Sequence, residues 1–226
     1  MFLPDLFFDL NTFFHQDLLL KKEPTWETLK NLKKYFNTLS LGKIDCKIPS
    51  SVTLINPQEI SIGKGTVVEP GAYLEGPCFI GENCQVRQGA YVRPFVLTGN
   101  HCVLGHASEL KHSILLDHAA APHFNYVGDS ILGNHVNLGA GVICANFRLD
   151  HGEIKVEVEG KRFDTGMNKL GAIIGDHSQL GCNSVTNPGV LLRKKTFSRP
   201  CTSIQNSNLR FIHDNRKPPQ AQHFSS

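Results

Sequence analysis

Ile62-Gly63-Lys64-Gly65-Thr66-Val67 runs straight into Val68-Glu69-Pro70-Gly71-Ala72-Tyr73, Leu74-Glu75-Gly76-Pro77-Cys78-Phe79 and Ile80-Gly81-Glu82-Asn83-Cys84-Gln85. The same six-residue unit continues to a last copy that opens at Leu116. Its first position reads Ile62, Val68, Leu74, Ile80, Val86, Val92, Thr98, Leu104, Leu110 and Leu116. Its fifth reads Thr66, Ala72, Cys78, Cys84, Ala90, Val96, Cys102, Ser108, Ile114 and Ala120, mostly small residues. A period of six fits neither the 3.6 of a helix nor the unbroken alternation of a long strand, so each unit reads as one short strand plus a corner. Three units close a triangular coil of roughly 18 residues, and stacked coils pair as parallel strands about 4.8 Å apart. First-position side chains then fill the interior, and the small fifth-position ones fit its corners.

The register extends back to Ile44, with Ile48, Leu54 and Ile60 at fifth positions. It slips by four residues between His118 and Asn125, and resumes at Tyr126, Leu132 and Leu138. After an insertion it returns in the same phase at Ile174, Leu180, Thr186, Leu192 and Ser198, so the insertion, residues 145–172, is a loop pushed out of the coil. Inside it, Ile154, Val156 and Val158 alternate with charged residues up to Gly160, the pattern of an exposed hairpin.

Two segments flank the repeat domain of residues 44–204. Residues 1–43 carry Leu6, Leu10, Phe13 and Phe14, then Trp26, Leu29, Leu32 and Phe36, broken by Pro24 and ended at Gly42. Those spacings predict two amphipathic helices, expected either to cap the open end of the coil or to dock a separate nucleotidyltransferase. The polar tail, residues 205–226, contains Lys217-Pro218-Pro219 and is expected to be poorly ordered.

Of the 226 residues, 40% are apolar and 19% charged, which excludes collagen and wholesale disorder. The formal charge of +3 is too small for the electrostatic attraction that non-specific nucleic-acid binding needs. The opening ten residues are apolar but hold Asp5 and Asp9 and no basic residue, unlike a secretory leader. No run approaches the roughly 18 apolar residues of a membrane span, so a cytoplasmic protein without nucleic-acid or membrane partners is expected. Seven cysteines without a CxxC pair disfavour a disulfide framework and a structural zinc site; Cys78, Cys84 and Cys102 read as packing residues.

The repeat resembles that of the hexapeptide acyltransferases, and three motifs narrow the resemblance. They are His123-Phe124-Asn125-Tyr126-Val127-Gly128-Asp129, Val136-Asn137-Leu138-Gly139-Ala140-Gly141 and Cys144-Ala145-Asn146. Over about residues 44–200 the chain is similar to the acetyltransferase domain of bifunctional N-acetylglucosamine-1-phosphate uridyltransferase/glucosamine-1-phosphate acetyltransferase. The longer insertion, ending Asn168-Lys169-Leu170-Gly171-Ala172, is most similar to the archaeal sugar-1-phosphate nucleotidylyltransferase/acetyltransferase branch.

The resemblance implies a mainly β fold, a left-handed parallel β-helix assembled as a homotrimer. Handedness rests on the resemblance alone, because ordinary parallel crossovers are right-handed in about 98% of cases. It also implies acetyl-CoA as acyl donor, no metal requirement, and N-acetylation of an amino-sugar phosphate such as glucosamine-1-phosphate, as in supply of UDP-N-acetylglucosamine. By position, His123 is the general base, Arg93 and Lys111 bind phosphate, Tyr126 and Asn137 hold the sugar, and Asn146 lies near the reacting amine. Lys169 matches a basic residue that arrives from an adjoining chain. Ala140 and Cys182 match positions along the pantetheine arm, and Arg199 is placed toward the coenzyme A phosphates. The chain departs from the pattern at Cys182, where serine is common, and at Ser198-Arg199-Pro200, which replaces a small corner. Residues 1–43 offer no Gly-rich nucleotide loop, so a nucleotidyltransferase, if one is needed, is a separate partner.

The residues carry part of this on their own account. Arg93 and Lys111 are 18 apart, one full coil, and share an outer face. Like charges stacked in this way suggest a shared anion, unless Glu75 and Glu109 balance them. An amine must lose a proton as it attacks a thioester, and imidazole is the side chain suited to that near neutrality. The Gly139-Ala140-Gly141 run leaves backbone amides unshielded, either for an oxyanion or simply for a tight corner.

Two other readings remain open. A non-catalytic scaffold could have kept the repeat and lost the reaction. A metal-dependent carbonic anhydrase-like enzyme would use histidines on the same scaffold; His106 suits it, but its next ligand position holds Lys111.

Overall fold

The computed structural model describes residues 2–20, 22–158 and 160–205; the expected tail beyond Gln205 lies outside them. Three parallel sheets form the walls of a β-solenoid. The eight-stranded front face includes Tyr91–Val92, Glu109–Lys111, Tyr126–Gly128 and Ile143–Cys144. The six-stranded side face includes Val103–His106, Ala120–His123, Asn137–Leu138 and Gln179–Leu180. The seven-stranded third face includes Val96–Thr98, Ser113–Leu115, Ile131–Leu132, Ala172–Ile174 and Val190–Leu192.

The ladder explains the period. Ile62 pairs with Ile80, Val68 with Val86 and Leu74 with Val92, each one coil apart. These side chains point inward and build one continuous apolar core with Cys78, Cys84 and Cys102. All seven cysteines are free thiols, and burial pushes the Cys78 thiol up to about 12.

The slip in register lies elsewhere than expected. Leu110 pairs with Val127, and Leu115 pairs with both Thr98 and Leu132. Leu115, Ala121 and Val127 therefore point inward, whereas Leu116 and Ile114 pack outside the coil. Two successive coils each omit one residue at the corner between the front and third faces, within 111–114 and again within 128–131. Together the omissions shift the phase by two residues. They also turn Tyr126 outward, where its phenol is available.

The third face is covered. Its outward side chains Leu97, Ile114, Ile131, Ile173 and Leu191 are buried beneath Phe7, Phe13, Leu19, Trp26, Leu29, Leu32 and Phe36 in a second apolar core. The N-terminal segment thus lies along the side of the solenoid, a correction to its expected place over the open end. Nor does it form two helices. Among its described residues only Glu27–Phe36 is α-helical, and the earlier part holds two short 3-10 turns, Pro4–Leu6 and Gln16–Leu18. Tertiary hydrogen bonds replace helical ones there: Asp9 N–H donates to the Asp176 carboxylate (2.6 Å), Asp176 N–H to Phe7 C=O (2.9 Å) and Asn134 Nδ2 to Asp9 C=O (2.7 Å).

The insertion is a hairpin, Ile154–Val158 paired antiparallel with Lys161–Met167. It is less exposed than its alternation predicts. Ile154 and Val156 are buried in the second core, and Phe163 meets Phe2 edge-on at 5.1 Å.

Candidate active site

The shortened corners leave a recess of about 380 Å³, lined by Arg93, Phe95, Lys111, His112, Asp129 and Lys169 among others. Arg93 and Lys111 do stack one coil apart, but each has its own counter-charge. Arg93 Nη1 lies 2.8 Å from Glu109 Oε1, and Lys111 Nζ lies 3.1 Å from Asp129 Oδ2. Their mutual repulsion therefore requires no bound anion. Glu109 was anticipated from the sequence; Asp129 was not.

Asp129 organises this corner. It is only 4% exposed, and its carboxylate also accepts hydrogen bonds from His112 Nδ1 (2.8 Å) and Asn146 Nδ2. Burial alone would raise its pKa, but His112, Lys111 and Asn146 together hold the carboxyl below the usual range. Asn146 Nδ2 also reaches the Tyr126 hydroxyl at 3.2 Å, which ties the expected sugar residues to the cationic recess. Burial raises the Tyr126 phenol, so it is a neutral donor at pH 7.

Lys169, expected from an adjoining chain, already lines the recess of its own chain. Lys33, on the N-terminal helix, lines it too. No motif pointed to Lys33; the only signal was a lysine on a helix whose apolar stripe had to dock somewhere.

Around the other edge of the front face lies a second group. His123 ends a side-face strand directly beside His106 of the preceding coil. Its C=O accepts the Gly141 N–H (3.0 Å), Ala140 C=O accepts from Asn183 N–H (2.8 Å), and Cys182 C=O accepts from Cys201 N–H (2.8 Å). His123, Ala140 and Cys182 therefore form one column along the corner. Arg199 is exposed in the next coil, its C=O accepting from Ser184 Oγ (3.0 Å). Asn137 is exposed on the side face between Ala120 and Gln179, apart from Tyr126 and Asn146. Asn125, another residue the sequence reading passed over, fastens the corner. Its Oδ1 accepts the His123 N–H (3.0 Å), and its Nδ2 donates to Gly139 C=O (2.8 Å).

Coil spacing accounts for the glycines here. A Cβ on Gly139 would meet Cys182 N at 2.6 Å, and one on Gly141, at φ +73°, would meet Asn183 Oδ1 at 2.3 Å. The Gly139 and Gly141 amides are both engaged, donating to Leu180 C=O (2.8 Å) and His123 C=O (3.0 Å). Among the described residues the Ala140 N–H has no acceptor. Most other histidines are also committed. His101, His118, His135 and His177 stack at a different corner with centroids 4.5–4.9 Å apart, His15 is buried against Tyr35, His112 bonds Asp129 and His106 bonds Gln88 C=O. The imidazole of His123 is exposed and has no partner among the described residues.

Among those residues no group of three His, Cys, Asp or Glu side chains is arranged to hold a metal ion. Among the described residues no helix is long and apolar enough to cross a membrane.

Comparison with known proteins agrees with the motif resemblance. The chain is 39% identical over 151 residues to a bifunctional sugar-1-phosphate nucleotidylyltransferase/acetyltransferase of Sulfurisphaera tokodaii, covering 67% of this chain and 36% of that protein. It is 34% identical over 165 residues to the bifunctional protein GlmU of Methanococcus maripaludis, covering 73% of this chain and 39% of that one. The chain thus spans little more than a third of the length of these relatives. Among solved structures, the polysialic acid O-acetyltransferase OatWY overlaps 77% of the chain and 93% of its own at 16% identity with a TM-score of 0.27, too low to bear on the assignment. Residues 74–210, more than half of the sequence, match the family described as GMPPB C-terminal domain. The chain belongs to that family.

Proposed function

We propose that this chain is an acetyl-CoA-dependent N-acetyltransferase that acts on an amino-sugar phosphate, with glucosamine-1-phosphate as the first substrate to test. The observation that carries the reading is the pairing of an unengaged His123 imidazole with an unengaged Ala140 amide on adjacent coils, across the front face from a cationic recess. The front-face strand between them, Tyr126–Gly128, spans about 10 Å at roughly 3.3 Å per residue. An amino-sugar phosphate, with the reach of the lysine and imidazole side chains, fills that span.

In this reading Arg93, Lys111 and Lys169 hold the phosphate, while Tyr126, Asn146 and Asn137 position the sugar. His123 takes the proton from the amine as its nitrogen attacks the thioester carbonyl. The carbonyl oxygen gains negative charge and accepts the Ala140 N–H. Collapse expels the coenzyme A thiolate, which takes the proton from the imidazolium. Cys182 and Arg199 lie along the exposed column where the coenzyme extends. A second and third copy of the chain supply the opposite wall in a homotrimer. The name of the Sulfurisphaera tokodaii relative, a sugar-1-phosphate nucleotidylyltransferase/acetyltransferase, supports the substrate class.

A product-detected acetylation assay across glucosamine-1-phosphate, galactosamine-1-phosphate and the corresponding 6-phosphates tests this. Acetyl-CoA-dependent acetylation of one of them is expected; turnover of none would overturn the enzymatic reading. The Ser198-Arg199-Pro200 corner favours one other reading, a scaffold that binds no coenzyme. Saturable acetyl-CoA binding removes that alternative.

A further inference from the structure

We propose that Lys33, on the N-terminal helix, completes a binding site for a phosphomonoester dianion, so that the segment preceding the solenoid forms part of the substrate site. The inference rests on the reading of the recess as the phosphate end of that site.

Charge balance sets the class of ligand. Of the recess cations, Arg93 and Lys111 are matched by Glu109 and Asp129. Lys33 and Lys169 also line the recess, and neither has a carboxylate within ion-pair distance among the described residues. The recess therefore carries two lysine charges that no carboxylate matches among the described residues. A phosphomonoester brings about −1.5 to −2 at pH 7. An unphosphorylated amino sugar brings nothing to match them.

Packing fixes where Lys33 points. Leu29, Leu32 and Phe36 anchor the helix in the second core. Phe36 meets Phe95 edge-on at 5.6 Å, and Lys33 Nζ sits 5.2 Å from the centroid of the same ring. Phe95 holds φ +65°, a region that bulky side chains rarely enter, and from there its ring bridges helix and recess. The ammonium rests on an aromatic face beside the other cations. The neighbouring lysines are disposed differently: Lys30 pairs with Glu27 at 2.7 Å, and Lys34 is exposed outside the recess lining.

The test compares Lys33→Ala, Lys33→Glu and Lys33→Arg, with Lys34→Ala as control, in the full chain. Two readouts are used: KM for glucosamine-1-phosphate and for acetyl-CoA, and the Kd for inorganic phosphate by calorimetry. Lys33→Ala should raise the sugar-phosphate KM and the phosphate Kd about tenfold, with a larger rise for Lys33→Glu. Lys33→Arg should restore most of the loss, Lys34→Ala should change neither, and the acetyl-CoA KM should stay constant. A wild type that binds phosphate in a Lys33-dependent way but acetylates no amino-sugar phosphate would sink the enzymatic reading and support this site. A wild type that acetylates the substrate with KM and phosphate Kd indifferent to Lys33→Glu would overturn the role of Lys33 alone. So would a wild type that binds no phosphate.

Discussion

Asp129 and Lys111 face each other across adjacent coils with Oδ2 and Nζ 3.1 Å apart, and the same carboxylate also takes His112 and Asn146. Replacing Asp129 with Ala leaves two nitrogen donors and an ammonium around a hole at a site that is only 4% exposed. Breaking a buried pair in this way costs about 3–5 kcal/mol, reduced to about 2–4 here because Lys111 keeps some water. Urea unfolding at pH 7 measures the loss. The pH dependence has a definite sign. The folded carboxyl titrates below its ordinary value, so its contribution is complete above about pH 4 and drains away as the pH falls through the folded value. Asp129→Ala should therefore show a flatter stability curve on the acid side than the parent.

His123→Ala should lower turnover by ~10²-fold or more while leaving the unfolding midpoint within experimental scatter, because the ring is exposed and makes no hydrogen bond or ion pair among the described residues. An unchanged rate would remove the base assignment, whatever the fate of the phosphate recess.

The parallel coils were legible from the first quoted units, because an inward aliphatic every six residues leaves few other ways to bury a core. The site motifs were legible only through resemblance, and the structure adds the elimination that composition lacked: the other imidazoles are mostly stacked or bonded. The position of the phase shift was not legible, because two single omissions and one slip give the same periodicity after Leu132. The lateral cover did leave a trace. Val96-Leu97, Ile114-Leu115-Leu116, Ile173-Ile174 and Val190-Leu191-Leu192 are continuous apolar runs, which mark strands buried on both faces. Period alone does not register them.

Removing residues 1–42 should expose Leu97, Ile114, Ile131, Ile173 and Leu191 together as one apolar face. The truncated chain should aggregate, and size-exclusion chromatography of the soluble fraction checks it. In the intact chain Leu32→Ala, at a fully buried position of that core, should cost about 2–5 kcal/mol. A soluble, monodisperse truncation would show that the cover is dispensable.

His15 makes attachment of the same segment pH-sensitive. The ring is 1% exposed, its Nδ1 shares a hydrogen bond with the Tyr35 hydroxyl at 2.9 Å, and its Nε2 has no partner among the described residues. The Phe13, Phe14 and Phe79 rings pack around it, and the Asp117 charge only partly opposes the effect of burial. The imidazole is consequently lowered to about 4. Unfolded, it would take up a proton below about pH 6.5. Stability from the neutral ring is thus complete above that pH and is lost as the pH falls toward 4, by up to about 3 kcal/mol at 1.36 kcal/mol per pH unit. The single tryptophan, Trp26, lies in the same core and reports its opening by fluorescence. His15→Phe fills a similar volume without a titrating group. At neutral pH it should forfeit about 1 kcal/mol with the Tyr35 bond, and between pH 6.5 and 4 it should lose less stability than the parent. Parallel curves for the two proteins across that range would show that the proton is taken up elsewhere.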